Sequence, residues 1–465
     1  MKSSKVPHKP IEQLIIHNSD NQVKPIIGNK DIEKVAEVPV HQDSLPFEPW
    51  DPAMVAQKID TPEIESHLSD VYSALASNES VNSKLNALNY FESIIINSNV
   101  SNRLINSAFM SLLVKMLKQI KTPGIKSRLC SVVGLLIRHS TVIENELAET
   151  RICEVLVETM RDKIDKVRRK AIAALGEYMF YAATQLDDEQ VDPIWELSYE
   201  SIQTILRCLR MNTNEQPEDD IVRFYACKTL ENICAQSNSA GHKFASLETI
   251  NHLLAIFLSQ VSNFTKAGAP KQAPQFYEAL KVSSAVALSH ICGLNPQLFH
   301  SIFERITAPV YCNTLTEGTP RVQQAFITML NLALTANVYP KINDILLAEE
   351  TFLKSLMKLH EHQSIVIRGK CLLTFLLLFK LDFRWMSVVQ NQVKFFNMLD
   401  RVLKDNYKYV QCCLLCLIDG ILEIVPTIFQ TVAAELASLI KAGGAEMPHL
   451  QHSEFNRFMS DQQAT

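Results

Sequence analysis

The sequence predicts an all-α fold in which short helical units stack into a right-handed solenoid. Three observations predict it: a recurring apolar pattern, a shortage of glycine, and long stretches of strong helix formers. Glycine numbers only 12 in 465 residues, whereas a strand-rich fold of this length needs many turns, and turns need glycine. The periodic stretches draw on Leu, Ile, Ala, Glu, Lys and Gln, most of which lose little freedom in a helix.

The recurring pattern is an apolar anchor, often followed by a basic residue, with a small or apolar residue four positions on and an apolar one eight positions on. It appears at Ile125, Leu129 and Val133, then at Val167, Ala171 and Leu175, and then at Val222, Ala226 and Leu230. It returns at Leu280, Ser284 and Leu288, at Val322, Phe326 and Leu330, at Ile367, Cys371 and Phe375, and at Val410, Leu414 and Ile418. Successive anchors are 42, 55, 58, 42, 45 and 43 residues apart. Four of these spacings match the armadillo/HEAT period of about 40–47 residues. The two long ones contain the polar inserts 212–220 and 262–275. An earlier unit is expected at Ser83–Ile96, one period before Ile125.

Each unit has an apolar face that it cannot bury alone, so the next unit must cover it and the core becomes quasi-one-dimensional. Small residues at Gly134, Ala171, Ala174, Gly176 and Ala226 allow close helix packing. Breakers at Pro123-Gly124, Pro193, Pro296, Pro320 and Pro340 separate one helix from the next. The fold class is therefore an armadillo/HEAT-type solenoid, expected over 63–441.

Two flanks depart from the pattern. Residues 1–62 read as an extended leader, because prolines at 7, 10, 25, 39, 46, 49, 52 and 62 are too frequent for long helices. Apolar clusters interrupt it at Leu14-Ile15-Ile16, at Pro25-Ile26-Ile27, and at Leu45-Pro46-Phe47 with Trp50. They predict that parts of the leader lie against the first repeats; the opposite reading is a flexible tail with adhesive spots. Residues 442–465 lose the pattern after Gly443-Gly444 and are expected to be disordered. The final repeat has no evident polar cap, which suggests that a longer relative continues past it.

Composition narrows the function. A net charge of −5 gives no reason to expect nucleic acid as the main ligand. The longest apolar run, within Cys371–Lys380, is far shorter than the ~20 residues of a membrane span. The first ten residues are polar, so no signal peptide is expected. Most of the 11 cysteines sit in apolar helical stretches, as reduced thiols in the cytoplasm do. A cytoplasmic location is expected, with association with cilia or microtubules following from the resemblance below.

No motif of catalysis is present. Phosphate-loop and dinucleotide glycine spacings are missing, as are kinase triplets, a nucleophile elbow and a zinc-protease helix. Cys412, Cys413 and Cys416 form the one metal-like cluster, yet a zinc site needs about four ligands, and the surrounding residues read as a buried helix face. His360 and His362 read as a polar inter-helix loop. Neither an enzyme nor a cofactor is expected.

Two features bear on partners. Residues 161–170 hold six basic residues against two acidic ones; the plainer reading is a solvated face with local ion pairs, and the functional one is docking of an acidic partner. The repeat-aligned Arg128, Arg168, Arg169, Arg223 and Arg368 are the candidate partner-binding residues, with inter-repeat ion pairs as the competing reading. Peptide-carrying armadillo adaptors use a repeated Trp/Asn ladder. Only Asn232 and Asn331 fall near that position, one residue out of step and without a Trp, which counts against a transport adaptor binding peptide cargo.

The leader residues Ser19, Asp20, Val23, Pro25, Ile26, Ile27, Asn29 and Ile32 resemble a segment that follows the kinase domain in the family of the fourth unc-51-like kinase, the Fused-related pseudokinases known in plants as RUNKEL. Further matches are Leu85, Asn86, Leu88 and Tyr90, then Val133 to His139, then Leu175-Gly176-Glu177 with Ala183-Thr184-Gln185. They run in the family's order over 14–440. The resemblance implies a kinase-like domain, atypical in its catalytic motifs, followed by this leader and a helical-repeat tail. It also implies roles in cilia and microtubule-based processes. The post-kinase segment begins almost at Met1, so the kinase-like domain is expected to be absent, and the family's nucleotide-site residues have no positions here. The chain is then a fragment, a partial gene product or a separately encoded tail. Its expected role is a protein-interaction scaffold, with other Fused-like kinases or microtubule and cilium proteins as partners, and neither nucleic acid nor membrane.

Overall fold

The computed structural model describes residues 23–34, 45–77, 79–185, 193–211, 218–260, 272–382, 384–385 and 388–389. Among them every regular element is a helix, and the chain is an all-α helical-repeat protein. It divides into two compact units, Val23–His290 and the described residues from Ile291 on.

The first unit opens with α1 (Pro52–Lys58), α2 (Pro62–Ala76) and α3 (Val81–Ile94). Triplets follow. The first is α4 (Ser98–Ile105), α5 (Ala108–Gln119) and α6 (Pro123–His139). The second is α7 (Glu146–Glu149), α8 (Ile152–Thr159) and α9 (Asp165–Gln185). The third is a 3-10 turn at Pro193–Trp195 with α10 (Tyr199–Leu209) and α11 (Asp220–Gln236). The fourth is α12 (Asn238–His242), α13 (Leu247–Leu258) and α14 (Pro274–Leu294). Each triplet runs from a short first element to a long third helix.

The second unit repeats the plan with a 3-10 turn at Pro296–Leu298, then α15 (Phe299–Ile306), α16 (Ala308–Glu317) and α17 (Pro320–Ala336). A further triplet is α18 (Ile342–Ala348), α19 (Glu350–His360) and α20 (Ile365–Leu381). Six of the predicted anchors fall at or near the start of the six long third helices, and all six are buried. The seventh, Val410, lies outside the described residues, as do Cys412, Cys413, Cys416, residues 442–465 and most of the two polar inserts.

Helix starts follow local chemistry. Proline occupies the first turn of α1, α2, α6 and α17, where its missing N–H costs nothing. Ser80, Asn97, Ser107, Ser198 and Asp219 accept backbone N–H bonds as N-caps. Asn337, at φ 47°, ends α17 in the left-handed region that Asn tolerates.

The third helices of the first unit pack in sequence, α3 on α6, α6 on α9 and α9 on α11. In the second unit α17 packs on α20. There Asn331 Nδ2 donates to the Lys370 carbonyl at 3.0 Å, and Asn331 Oδ1 accepts from Thr374 Oγ1 at 2.7 Å. Lys370 Nζ donates to Thr328 Oγ1 at 2.6 Å, so this buried seam is matched in polarity as well as shape. First elements are also tied: Trp195 Nε1 donates to Asn145 at 2.8 Å and Trp385 Nε1 to Asn343 at 2.7 Å. The same indole–amide joint thus links successive repeats in each unit.

Asp219 combines two roles, capping α11 through Ile221 N and Val222 N and holding Arg169 of α9. Asp219→Ala is expected to lower unfolding stability by about 2 kcal/mol, since a cap contributes about 1 kcal/mol and a charge-assisted bond a comparable amount. Asp219→Asn keeps the cap and is expected to recover about half. Urea denaturation followed by helical circular dichroism reads both.

Candidate functional site

The leader segment Val23–Lys34 lies in a groove made by α6, α9 and α11, three successive third helices. Its sequence fits it for close docking. Pro25 precedes two β-branched residues, and Gly28 takes φ 72°, a left-handed conformation that favours glycine. Asn29 then closes the turn, donating to the Pro25 carbonyl at 2.8 Å and accepting from Asp31 N at 2.9 Å. Ile26, Ile27, Asn29 and Ile32 are all buried.

The groove reads the main chain of this segment. Glu177 Oε1 accepts from both Ile26 N and Ile27 N, each at 2.9 Å. Asn232 Nδ2 donates to the Lys24 carbonyl at 2.7 Å. It also reads side chains. Glu33 Oε2 accepts from Lys170 Nζ at 2.6 Å and from Tyr225 OH at 2.8 Å. Ile27 Cδ1 occupies the space a side chain at Gly134 would need, 2.7 Å from the position of a Cβ there, and Ile26 Cγ2 lies 3.0 Å from that position at Gly176. Those two glycines are seats for aliphatic side chains.

Glu177 is 2% exposed. Burial pushes its carboxyl up to about 7, against the opposing pull of the Arg138 charge and the two amides. Burial, with the Glu33 carboxylate beside it, also holds the Tyr225 phenol well above its ordinary range. A second part of the leader docks on the opening helices. Trp50 stacks on His67 at 4.2 Å, Phe47 meets both His67 and Tyr90, and Tyr90 OH accepts from Trp50 N at 2.9 Å.

Residues carrying the family resemblance therefore meet in space: Ile26 and Ile27 with Gly134, Gly176 and Glu177. Glu33, Lys170, Glu177 and Tyr225 were not singled out as a site from sequence. The available signal was a lone carboxylate inside the apolar run 171–179. Asn232 falls near the ladder position in sequence, where nothing indicates that its partner is the Lys24 carbonyl.

The five candidate arginines have defined positions. Arg128 pairs with Glu92 at 2.6 Å and leaves 36% of its side chain exposed. Arg168 bonds Glu218 and the Asp162 carbonyl, both at 2.8 Å, and also Asp165. Arg169 grips Asp219 through two bonds, at 3.0 and 2.6 Å. Arg223, 1% exposed, pairs with Asp220 and donates to the Arg210 and Glu218 carbonyls. Arg368 is buried and donates to the His362 and Gln363 carbonyls at 2.8 and 2.9 Å. Arg168, Arg223 and Arg368 share one act: each guanidinium holds carbonyls of the turn preceding its own long helix. That accounts physically for a basic residue recurring beside the anchor.

His362 Nδ1 accepts from Ser364 N at 2.9 Å, closing the turn before α20. No cluster of three metal-ligating side chains occurs among the described residues. Cys130, Cys208 and Cys227 are fully buried, and burial pushes their thiols up to about 12, the state of small hydrophobes rather than nucleophiles. Among the described residues no helix is long and apolar enough to cross a membrane.

These features define a helical-repeat protein with a peptide segment seated across three repeats. The chain is homologous to serine/threonine-protein kinase RUNKEL of Arabidopsis thaliana, 30% identical over 94% of this chain and 31% of that protein. It is likewise homologous to serine/threonine-protein kinase ULK4 of Mus musculus, 23% identical over 92% of this chain and 32% of that protein. The chain spans about a third of the length of these relatives. No protein-family model matches it. Among solved structures, an engineered protein of the Northeast Structural Genomics Consortium shares the fold at a TM-score of 0.55, with 12% identity over 78% of this chain and 80% of that one.

Glu177 makes the groove testable. Its folded value near 7 lies above the ordinary 4.5, so the folded state holds an extra proton between those pH values. That contribution is full below pH 4.5 and is lost as pH rises through 7. Glu177→Gln is expected to keep an acceptor for both amides and to remove this slope, up to about 3 kcal/mol between pH 4.5 and 7. Glu177→Ala is expected to leave two amides without an acceptor, costing about 2 kcal/mol or more. Thermal melts of the wild type and both variants at pH 5 and 7.5 decide it.

Proposed function

We propose that this chain is a non-catalytic helical-repeat scaffold, the protein-interaction region of a Fused-like pseudokinase linked to microtubule and cilium processes. One observation carries the reading: homology to two kinase-family proteins covers more than nine-tenths of a chain whose described residues hold helices and no strand. Kinase catalysis needs a phosphate-binding lysine on a strand, and no such lobe exists in these residues. A stack of helices offers an extended surface instead of an enclosed reaction chamber. The working division is a leader over 1–62, repeats over 63–441 and a tail over 442–465.

The partner face includes the repeat-aligned arginines. Arg128, Arg168 and Arg169 keep 36%, 13% and 26% of their side chains exposed and can meet an acidic partner. Arg223 and Arg368 each fix the turn before their own long helix. Partners fitting this reading are other Fused-like kinases and microtubule or cilium proteins.

The full chain, used as bait in extracts of ciliated cells, is expected to retrieve proteins of these classes above an empty-bead control. Arg168→Glu with Arg169→Glu is expected to reduce that retrieval at least several-fold while the helical melt remains cooperative. Retrieval of neither class overturns the scaffold assignment. Unchanged retrieval by the folded double variant removes the arginines from the partner face.

A further inference from the structure

We propose that the groove of α6, α9 and α11 is a peptide-recognition site, that Val23–Lys34 is its resident ligand supplied in cis, and that a linear segment of like chemistry on another protein can take its place. The chemistry is two consecutive β-branched aliphatic residues, a glycine directly after them, and a carboxylate six residues past the second aliphatic. The inference rests on the scaffold reading and deepens it by locating one surface and its ligand class.

Three observations support it. First, the groove grips the segment through its backbone. Glu177 takes two consecutive amides and Asn232 takes a carbonyl, main-chain bonds that do not depend on which side chains the segment carries. Second, selectivity comes from a few side-chain seats. Gly134 and Gly176 leave room for the two isoleucines, and Lys170 with Tyr225 recognises one carboxylate. Backbone affinity with side-chain selection is the logic of peptide recognition.

Third, the segment lies outside the repeat ladder. Its hydrogen-bond partners are 137 to 208 residues away in sequence, while α6, α9 and α11 pack directly on one another. Removing the segment uncovers the groove without separating those helices. Glu177 then regains water, so departure does not strand a buried charge.

Tethering sets the threshold for exchange. A ligand supplied in cis acts at an effective concentration that reaches the millimolar range for short linkers. A free segment must bind better than the resident one, or the leader must be drawn away, before exchange occurs. The groove is thereby self-covered until a matching partner arrives.

The test uses the full chain and a fluorescent peptide spanning residues 22–35. The peptide is expected to bind the Ile26→Asp/Ile27→Asp chain at least tenfold more tightly than the wild type, because the variant's own segment no longer fills the seats. A Glu33→Lys peptide is expected to bind several-fold more weakly than the wild-type peptide. No binding to a double variant whose helical melt matches the wild type overturns the proposal. Concentration-dependent dimerisation of the wild type that the double variant abolishes assigns the groove to a second copy, and also overturns it. Should the double variant not fold, hydrogen exchange on the wild type decides. Ile26 and Ile27 amides that exchange at least tenfold faster than the interior amides of α6 and α9 support a seated ligand. Exchange only together with those helices makes the segment part of the core and sinks the idea. The synthetic peptide needs no cellular partner, so failure of the pull-down and failure of this assay remain distinguishable.

Discussion

The structure depends on one constraint: each third helix carries more apolar surface than its own repeat can cover. Val167, Ala171 and Leu175 of α9 are fully buried because α6 lies on one side and α11 on the other. Stability therefore accrues from neighbour to neighbour. Small side chains set how closely the helices approach, and the polar seam at Asn331, Thr374 and Lys370 shows that even the hydrogen-bonding groups of this interface are matched across repeats.

The same constraint organises the charges. A long helix must begin at a defined place for its apolar face to meet its neighbours. The turn before it leaves carbonyls without helical partners, and Arg168, Arg223 and Arg368 supply donors to them. Glu218 and Asp220 then neutralise Arg168 and Arg223, and Asp219 neutralises the neighbouring Arg169. The basic surface suggested by the sequence is thus largely engaged in setting helix starts, and what it offers outward is the remainder.

The groove is where repeat packing becomes a binding surface. Three helices held side by side bring Gly134, Glu177 and Asn232 to one depression, and a turned segment from far away in sequence fills it. The relation to kinase-family proteins spans nearly the whole chain, and several of the residues that carry the resemblance line this contact. Two amides satisfy the buried Glu177 carboxylate, and a satisfied polar group of this kind fixes one arrangement of the segment in the groove.

Periodicity alone determined the helical class, the repeat length and the starts of the long helices. An apolar face recurring at a fixed interval has few ways to be buried, and six anchors lie at buried positions on six third helices. Local rules placed the breakers too: Pro123 and Pro320 begin helices because proline lacks only an N–H that the first turn does not use. The site was beyond such reading. Nothing near Glu177 in sequence indicates which amides it accepts, and the destination of Ile26 and Ile27 is fixed by shape at glycines more than a hundred residues away. The arginines show the same limit: their repetition was visible, but whether each turned outward or back onto its own turn depended on where neighbouring carboxylates and carbonyls came to rest. Contacts within a few residues follow from chain chemistry, whereas contacts between distant segments exist only once the helices have stacked.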